Sequence, residues 1–345
     1  MIDSNKDRVL LAVEKALRCG VSFYCYRLPG GENLHFGVQT EEIATRKGFY
    51  VHPFSEGDAK SHFISQNLGV EEFLGSDYND QSCQTETEIQ ESISKTDYLC
   101  RAEQCVSDLR AGTLSKVVLS RTINGQFASD SWSEVYKSLL NAYRDAFVFV
   151  YSSEVTGTWL GATPERFLSK RKGVVSTMAL AGTRLAGTQG DWGAKEVEEQ
   201  RFVADYIGGC FDKVGLKYSK SETYTRNAGN VEHLCNDFVG NVESQTQVDS
   251  LRAMMHPTPA IAGTPTDIAV SYINNIESHS RRYYGGYVGP VDENGEFDFF
   301  VNLRSLEFSG NDYCIYVGGG LTADSDAEKE WQETAEKAKT LQRFL

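Results

Sequence analysis

The stretch that decides the fold class is GYVGPVDENGEFDFFVNLRSLEFSGNDYCIYVGGG, at residues 286–320. Its β-branched and aromatic runs predict strands at Gly286–Val291, Phe297–Phe308 and Tyr313–Val317, with turn-forming residues between them. The segment Asp292–Gly295 (DENG) is typical of the tight turn in an antiparallel hairpin. We therefore expect antiparallel strands near the C-terminus.

Upstream of this stretch, helices and strands come in mixed order. Helical periodicity and end signals predict helices at Tyr98–Ala111, Gly193–Cys210, Thr266–Asn275 and Asp326–Leu341. Short apolar runs predict further strands at Val21–Tyr26, Gly48–Pro53, Lys116–Arg121, Phe147–Tyr151 and Thr158–Gly161. This order favours an α+β fold over a doubly wound parallel sheet. The polar segment Gly75–Asp97 predicts a connection between an N-terminal region, residues 1–95, and a main domain, residues 96–345.

Composition excludes several classes of partner. With 34 basic and 48 acidic residues the formal net charge is −14, which argues against nucleic acid or an anionic membrane surface. No apolar stretch is long enough to span a bilayer, and the first residues form an amphipathic pattern unlike a signal peptide. The eight cysteines include no C-x-x-C pair, so we expect reduced thiols in a cytoplasmic protein. The six histidines lack zinc-site spacing, so any metal should be a hard cation held by carboxylates.

Two ionisable residues occupy positions suited to proton transfer. Lys116 begins a predicted strand, and Glu165 follows a Gly-Ala-Thr-Pro turn at the end of another. A lysine at a strand end usually lies in solvent, and so does a turn glutamate. In an apolar cleft, however, the lysine could act as a general base and the glutamate as a general acid. The residues alone leave both interpretations open.

The helix that begins near Gly193 carries a carboxylate on its apolar stripe. Glu199 lies four residues before Val203 on that stripe. A buried carboxylate needs a partner, and the pattern leaves a metal ion and an arginine as equal alternatives.

The C-terminal helix and the loops around it give weaker signals. Ser325 and Glu328 have the spacing of a capping box, whereas Glu330 and Glu333 lie off the apolar stripe and by periodicity alone would be solvated. The triple glycine Gly318–Gly320 indicates only a tight turn or a close backbone approach. His256 stands in a loop stiffened by two prolines, where a histidine is more often structural than catalytic.

Taken together, segments in a fixed order resemble the chorismate-utilising enzyme family, from about residue 98 to the C-terminus. In chain order they are KVVLSR at 116–121, GATPERFL at 161–168, LAGTR at 180–184, KEVEEQ at 195–200, HPTPAIAG at 256–263, RYYGG at 282–286, VNLRS at 301–305 and GGGLTADSDAEKEWQET at 318–334. The resemblance implies two large, mainly antiparallel sheets packed together, with helices outside and the site between the sheets. The N-terminal region would complete the sheets.

The resemblance also implies roles for individual residues. Lys116 would be the general base, Glu165 the general acid, and Glu199 and Glu333 the ligands of Mg²⁺, with Glu196 and Glu330 nearby. The substrate would contact Gly182, Thr183, His256, Ala260, Tyr284, Arg304, Gly318 and Gly319. The ion would hold the ring carboxylate of chorismate, while the enolpyruvyl carboxylate would meet the tyrosine and the arginine of that set. One departure from the family is Gln200, where histidine is usual.

A few positions indicate the branch of the family. Ala181 stands where aminodeoxychorismate-forming relatives often have lysine, and the pair Ala260–Ile261 resembles the form found in isochorismate synthases. The resemblance therefore implies conversion of chorismate to isochorismate without a glutamine amidotransferase subunit. The sequence does not distinguish the pathway, and we expect menaquinone synthesis only because it is the more general destination. A salicylate synthase, an isochorismate synthase for a catechol siderophore and a non-catalytic chorismate-binding protein remain alternatives.

Overall fold

The computed structural model of the chain describes residues 5–40, 45–78, 88–112, 114–128, 132–228 and 231–345. Within these ranges the helices are α1 (Asn5–Arg18), α2 (Val70–Leu74), α3 (Lys95–Arg110), α4 (Trp132–Ala142), α5 (Ala194–Lys213), α6 (Gln245–Met255), α7 (Thr266–Ile276) and α8 (Ala327–Gln342). Part of the predicted connection Gly75–Asp97 lies outside the described residues.

Strands make up two antiparallel sheets. Sheet one contains β1 (Phe23–Arg27), β2 (His35–Val38), β5 (Lys116–Gln126), β6 (Phe147–Ser153), β7 (Gly157–Thr163), β13 (Gly263–Thr264), β16 (Ser305–Ser309) and β17 (Asp312–Leu321). Sheet two contains β3 (Gly48–His52), β4 (His62–Ser65), β8 (Arg166–Arg171), β9 (Val174–Leu185), β10 (Tyr218–Lys220), β11 (Tyr224–Ala228), β12 (Val231–Asn241), β14 (Tyr287–Val291) and β15 (Phe297–Val301).

The strand order of sheet one is β13-β5-β17-β16-β7-β6-β1-β2, and that of sheet two is β10-β12-β9-β8-β15-β14-β3-β4, with β11 paired to β12. The predicted hairpin forms, since Val291 pairs with Phe297 across Asp292–Gly295. The predicted α+β class with two large antiparallel sheets is confirmed. Strands β1 and β2 form one edge of sheet one, and β3 and β4 form one edge of sheet two. The domain boundary near residue 95 stays a prediction.

Alternation along the strands fills the space between the sheets with aromatic rings. On β6, Phe147, Phe149 and Tyr151 point into the layer between the sheets, whereas Val148 and Val150 pack in the core beneath the helices on the other face of sheet one. The ring of Phe147 stacks on Phe300 of sheet two with 4.2 Å between centroids. Such aromatic pairs contribute about 0.5–1.5 kcal/mol beyond their buried area, so this layer helps to hold the two sheets together.

The predicted strand Phe297–Phe308 is wrong as a single element. The structure interrupts it after Val301: β15 belongs to sheet two and β16 to sheet one. Between them the chain crosses from one sheet to the other, and Arg304 adopts a φ of 50°, a left-handed conformation that is rare outside glycine. Apolar residues occupy every odd position from 297 to 303 and then the even positions 306 and 308. This shift by one residue marks an irregularity near the crossing, but it does not reveal that the two halves pair with different sheets.

The predicted capping box of the last helix is also wrong. Asp326 is the N-cap of α8, and its side chain accepts a hydrogen bond from the Lys329 amide at 2.9 Å. The Ser325 hydroxyl instead donates to Glu330 at 2.8 Å, so it serves a buried carboxylate and not the helix end.

Two broader expectations can be compared with the fold. All seven cysteines in the described part of the chain are free thiols. No helix in the described ranges combines the length and the apolar character needed to cross a bilayer.

Candidate active site

A cavity lies at the end of the layer between the two sheets. Strands β5 and β17 contribute to it from sheet one, β9 and β12 from sheet two, and helices α5 and α8 close it from outside. Its empty volume is about 800 Å³, including the mouth that opens to solvent. Most of the residues implicated by sequence converge here.

Lys116 lies in this cavity and not in solvent. Its side chain is 3% exposed, and its Nζ is 3.9 Å from Glu199 Oε2 on α5. Burial lowers the pKa of Lys116, and the charge of Glu199 only partly opposes that shift. Gly320 on β17 leaves room for the lysine, because a Cβ atom there would lie 2.9 Å from Lys116 Cε. The arrangement keeps an amine that gives up its proton more readily than a solvated lysine does.

Glu165 lies where the chain leaves sheet one, after β7, to begin β8 of sheet two. Its backbone carbonyl accepts a hydrogen bond from the Val301 amide at 3.0 Å, which ties this crossing to the one that follows β15. The residue is 5% exposed. Burial raises the pKa of Glu165 to about 8, although the charges of Lys116 and Arg304 act against the rise. The carboxyl group is therefore protonated near neutral pH.

Arg304 is a buried cation beside the acid. It is 8% exposed, and its Nη1 donates to Thr340 Oγ1 at 3.0 Å. Among the described residues it forms no ion pair with a carboxylate, although an uncompensated buried charge is costly. Burial lowers the pKa of Arg304, but a guanidinium remains protonated in proteins. This corner of the cavity therefore carries a positive charge that suits an anion.

His233 on β12 is a cavity residue that sequence reasoning missed. Its Nδ1 lies 2.9 Å from the Gly182 carbonyl oxygen and its Nε2 lies 3.4 Å from Arg304 Nη2. A carbonyl only accepts and a guanidinium only donates, so the proton belongs on Nδ1 and the lone pair on Nε2 faces the arginine. Burial, helped by Arg304, lowers the pKa of His233 to about 3, so the ring is neutral. A single histidine in an apolar strand gives no sequence signal for this role.

A β-bulge aims the Gly182 carbonyl at that histidine. The register between β9 and β12 shifts here, so that Ala181 and Thr183 face consecutive residues of β12 and Gly182 is the extra residue. Gly182 has a φ of 67°, and a Cβ atom there would lie 2.9 Å from the Glu196 carbonyl oxygen. Glycine is therefore required at this position on two grounds.

Carboxylates from α5 and α8 form an acidic group at the cavity. Glu199 and Glu333 line it, and Glu330 is buried next to them. Lys195 Nζ lies 2.7 Å from Glu330 and 3.7 Å from Glu199, while Lys337 Nζ lies 2.6 Å from Glu333. The Lys337–Glu333 pair at i,i+4 is a spacing that the sequence could have revealed.

This acidic group has the donor chemistry of a site for a hard cation. Glu330 Oε2 is buried without a hydrogen-bond partner among the described residues. Burial raises the pKa of Glu330, and the charge of Glu333 raises it further. Within the described ranges, no three side chains of histidine, cysteine, aspartate or glutamate are arranged so that they could bind a metal ion together. The carboxylates form ion pairs with lysine side chains. A divalent cation that bound here would replace an ammonium group as their counter-charge.

Comparison with known proteins assigns the chain to a family. The sequence pattern of the family described as "Chorismate binding enzyme" matches residues 53–345. The chain belongs to this family. It is 28% identical to isochorismate synthase MenF of Bacillus subtilis over 296 residues, which is 82% of this chain and 62% of that protein. It is 32% identical to isochorismate synthase DhbC of the same organism over 274 residues, 72% of this chain and 67% of that protein.

The fold of this chorismate-binding enzyme matches those of solved relatives. The structure of MenF, the menaquinone-specific isochorismate synthase from Escherichia coli, superposes with a TM-score of 0.81 at 21% identity, covering 97% of this chain and 91% of that chain. At that identity the match establishes the shared fold.

Besides Glu330, three residues implied by the family resemblance lie outside the cavity lining. His256 is directed at backbone, with its Nε2 2.9 Å from the Pro53 carbonyl oxygen. Gly319 lies on the opposite face of β17 from Gly318 and Gly320, because side-chain direction alternates along a strand, and its missing Cβ would face Glu330. Glu196 does not line the cavity, since its carboxylate lies beside Gly193 at the start of α5.

The remaining predicted substrate residues are brought together. Cavity-lining positions include Gly182, Thr183, Ala260, Tyr284, Arg304 and Gly318. A Cβ atom on Gly318 would lie 3.1 Å from the Tyr284 hydroxyl, so the glycine allows the tyrosine to approach β17. Their roles toward a substrate stay predictions.

Gln200, where the family usually has histidine, does not reach the cavity. It is 3% exposed, and its Nε2 donates to the Ala179 carbonyl at 2.9 Å and to Asn236 Oδ1 at 3.0 Å. These bonds fasten α5 to β9 and β12. The residue thus supports the helix that carries Glu199.

Proposed function

We propose that this chorismate-binding enzyme is an isochorismate synthase, which moves the hydroxyl group of chorismate from ring carbon 4 to ring carbon 2. The observation that carries the proposal is one cavity that holds a buried amine with a lowered pKa, Lys116, and a buried carboxyl with a pKa of about 8, Glu165. Burial has shifted the two groups toward their neutral forms, which are the forms required of a base and an acid. The similarity to the two isochorismate synthases of Bacillus subtilis supports the same choice.

The proton chemistry follows from those forms. Neutral Lys116 would take a proton from water as the oxygen adds to carbon 2, and Glu165 would give its proton to the hydroxyl that leaves carbon 4. The carbon–oxygen bond at carbon 2 forms as the one at carbon 4 breaks, and one water enters for each that leaves. Such a base and acid each contribute about 10² to 10⁴ in rate.

The charges of the cavity suit a dicarboxylate. Arg304, which lacks a carboxylate partner in the described structure, would bind the enolpyruvyl carboxylate together with the Tyr284 hydroxyl. Neutral His233 would hold the guanidinium in place without competing for the anion.

Glu199 and Glu333, with Glu330 behind them, would hold Mg²⁺ near the ring carboxylate. When bound, the ion would supply the positive charge that offsets repulsion between the substrate and an acidic pocket. The carboxylate donor set and the orphaned oxygen of Glu330 support this assignment.

The experiment that tests the function is incubation of the purified chain with chorismate and Mg²⁺, followed by chromatography of the products. We expect isochorismate in equilibrium with chorismate, formed without ammonia or glutamine. Anthranilate, aminodeoxychorismate or stoichiometric pyruvate as the main product would refute the assignment, and binding without turnover would identify a non-catalytic chorismate-binding protein.

We further propose that the isochorismate serves menaquinone synthesis in the cytoplasm. The similarity to MenF of Bacillus subtilis supports this destination. Rescue of menaquinone in a mutant lacking its own enzyme tests it, and rescue of catechol-siderophore production alone would contradict it.

A further inference from the structure

A buried ion pair lies at the wall of the cavity, with Arg281 among the lining residues. Arg281 Nε donates to Glu277 Oε2 at 2.8 Å and its Nη2 donates to Glu277 Oε1 at 2.6 Å. The two side chains are 2% and 3% exposed. Burial acts to raise the pKa of Glu277, but the charge and hydrogen bonds of Arg281 outweigh it and lower that pKa. The pair is thus ionised and locked in one bidentate geometry.

Further hydrogen bonds of this pair reach two walls of the cavity. Arg281 Nη1 donates to the Ile261 carbonyl at 3.1 Å and Nη2 donates to the Val118 carbonyl at 2.7 Å. Glu277 Oε1 accepts from both the amide and the hydroxyl of Ser120, at 2.7 and 2.9 Å. The pair therefore connects the loop that contains Ile261 to strand β5, which begins with Lys116.

Stability alone gives little reason for such a pair. Two charges buried together roughly offset their desolvation, and well-packed apolar residues often serve as well or better. What apolar residues cannot replace is the set of fixed hydrogen bonds to the carbonyls of Val118 and Ile261. Both of these residues line the cavity, as does Arg281 itself.

We propose that Glu277 and Arg281 are positioning residues that fix the Ala260–Ile261 wall against strand β5, and so hold the substrate ring at the right distance from Lys116. The proposal rests on the proposed function for its catalytic consequence. In the reaction the pair touches no reacting atom. It acts through the placement of the wall, and a displacement of about 1 Å can lower a rate by about a hundredfold.

The test replaces both members at once, as Arg281→Met with Glu277→Leu, so that no buried charge is left unpaired. The control is Arg171→Met with Asp298→Leu, which removes a partly exposed arginine–carboxylate pair, 2.6 Å apart, between β8 and β15. For the first variant we expect kcat about a hundredfold lower, KM within threefold of the wild type and faster amide hydrogen exchange in residues 258–262. The control should keep kcat and the exchange of that loop.

Unchanged kcat in the first variant, or an equal loss in the control, would overturn the proposal. If the first variant fails to fold, Arg281→Lys keeps the charge but cannot make the bidentate bond and reach both carbonyls, and the same loss of kcat is expected of it. If the wild type itself does not convert chorismate, the proposed function falls and hydrogen exchange decides: unchanged exchange in residues 258–262 refutes the positioning role, and faster exchange supports it.

Discussion

Replacement of Glu165 by glutamine should abolish most activity and at the same time stabilise the protein in a pH-dependent way. The pKa of this carboxyl is about 8 in the folded protein against 4.5 for an unperturbed group, because the group is buried. A group whose pKa is raised by folding contributes its full stability below the unfolded value and loses that contribution as pH rises through the folded value. The contribution of Glu165 to the unfolding free energy is therefore lost between pH 4.5 and pH 8.

The size of the effect follows from the same two values. Each pH unit between them is worth about 1.4 kcal/mol. At pH 7 the wild type should thus have lost about 3 kcal/mol of unfolding free energy relative to a chain with a neutral group at this position, and at pH 5 less than about 1 kcal/mol. Glutamine stays neutral throughout, so Glu165→Gln should gain on the wild type as pH rises.

Urea unfolding of both proteins at several pH values measures this difference. A difference in unfolding free energy that is the same at every pH would reflect the altered hydrogen bonding of the amide. The test is therefore the change of that difference with pH. Glu154→Gln, at an exposed position in the β6–β7 turn, is the control and should follow the wild type. Parallel curves for Glu165→Gln and the wild type between pH 5 and 8 would refute the burial argument, whatever happens to activity.

The remaining predictions concern the other groups of the cavity. Lys116→Met should lower kcat by about 10² to 10⁴, and combination with Glu165→Gln should be little worse than the poorer single variant, as steady-state kinetics would show; additive losses would contradict a joint step. Arg304→Lys should raise KM for chorismate more than it lowers kcat, because one ammonium cannot reproduce the guanidinium contacts, and an unchanged KM would remove it from substrate binding. Gly320→Ala should push Lys116 aside, since the new Cβ would lie 2.9 Å from its Cε, and wild-type kcat in that variant would show that the amine need not sit there. EDTA should remove activity and Glu333→Gln should weaken Mg²⁺ binding in calorimetry, whereas full activity in EDTA would exclude the metal.

Local patterns in the sequence predicted about half of the helices and strands, but not the long strands β9 and β12 and not how the elements meet. The hairpin at Asp292–Gly295 was predictable because turn residues and alternation lie within a few positions of each other. The interruption at Arg304 was not, because pairing of β15 with one sheet and β16 with the other is decided by strands far away in the chain. The N-cap was misassigned for a related reason: Ser325 is drawn to Glu330, which periodicity placed in solvent.

For the site residues too, the sequence suggested candidates, but their surroundings depended on the tertiary structure. Lys116 and Glu165 were candidates from their positions at strand ends, but the choice between cleft and solvent depended on burial that no local pattern encodes. Family resemblance brought His256 into the substrate set, whereas the structure gives its ring a backbone partner outside the cavity. Gly319 lies on the other face of β17 from Gly318 and Gly320, which line the cavity, because side-chain direction alternates along a strand.

The chemistry is concentrated where the chain passes from one sheet to the other. Glu165 stands between β7 and β8 and Arg304 between β15 and β16, and these two crossings are joined by hydrogen bonds from Val301 to Glu165 at 3.0 Å and from Ala162 to Arg304 at 3.1 Å. At a crossing the side chains leave the aromatic layer that fills the space between the sheets, so polar groups there can face a cavity without disrupting the core. The remaining backbone is held by hydrogen bonds from both sheets, which gives each charged group a fixed position. A two-sheet fold with paired crossings thus gives rigid support to the proposed acid, Glu165, and to the arginine proposed to bind an anion, Arg304, and β5 of sheet one brings the proposed base, Lys116, to the same cavity.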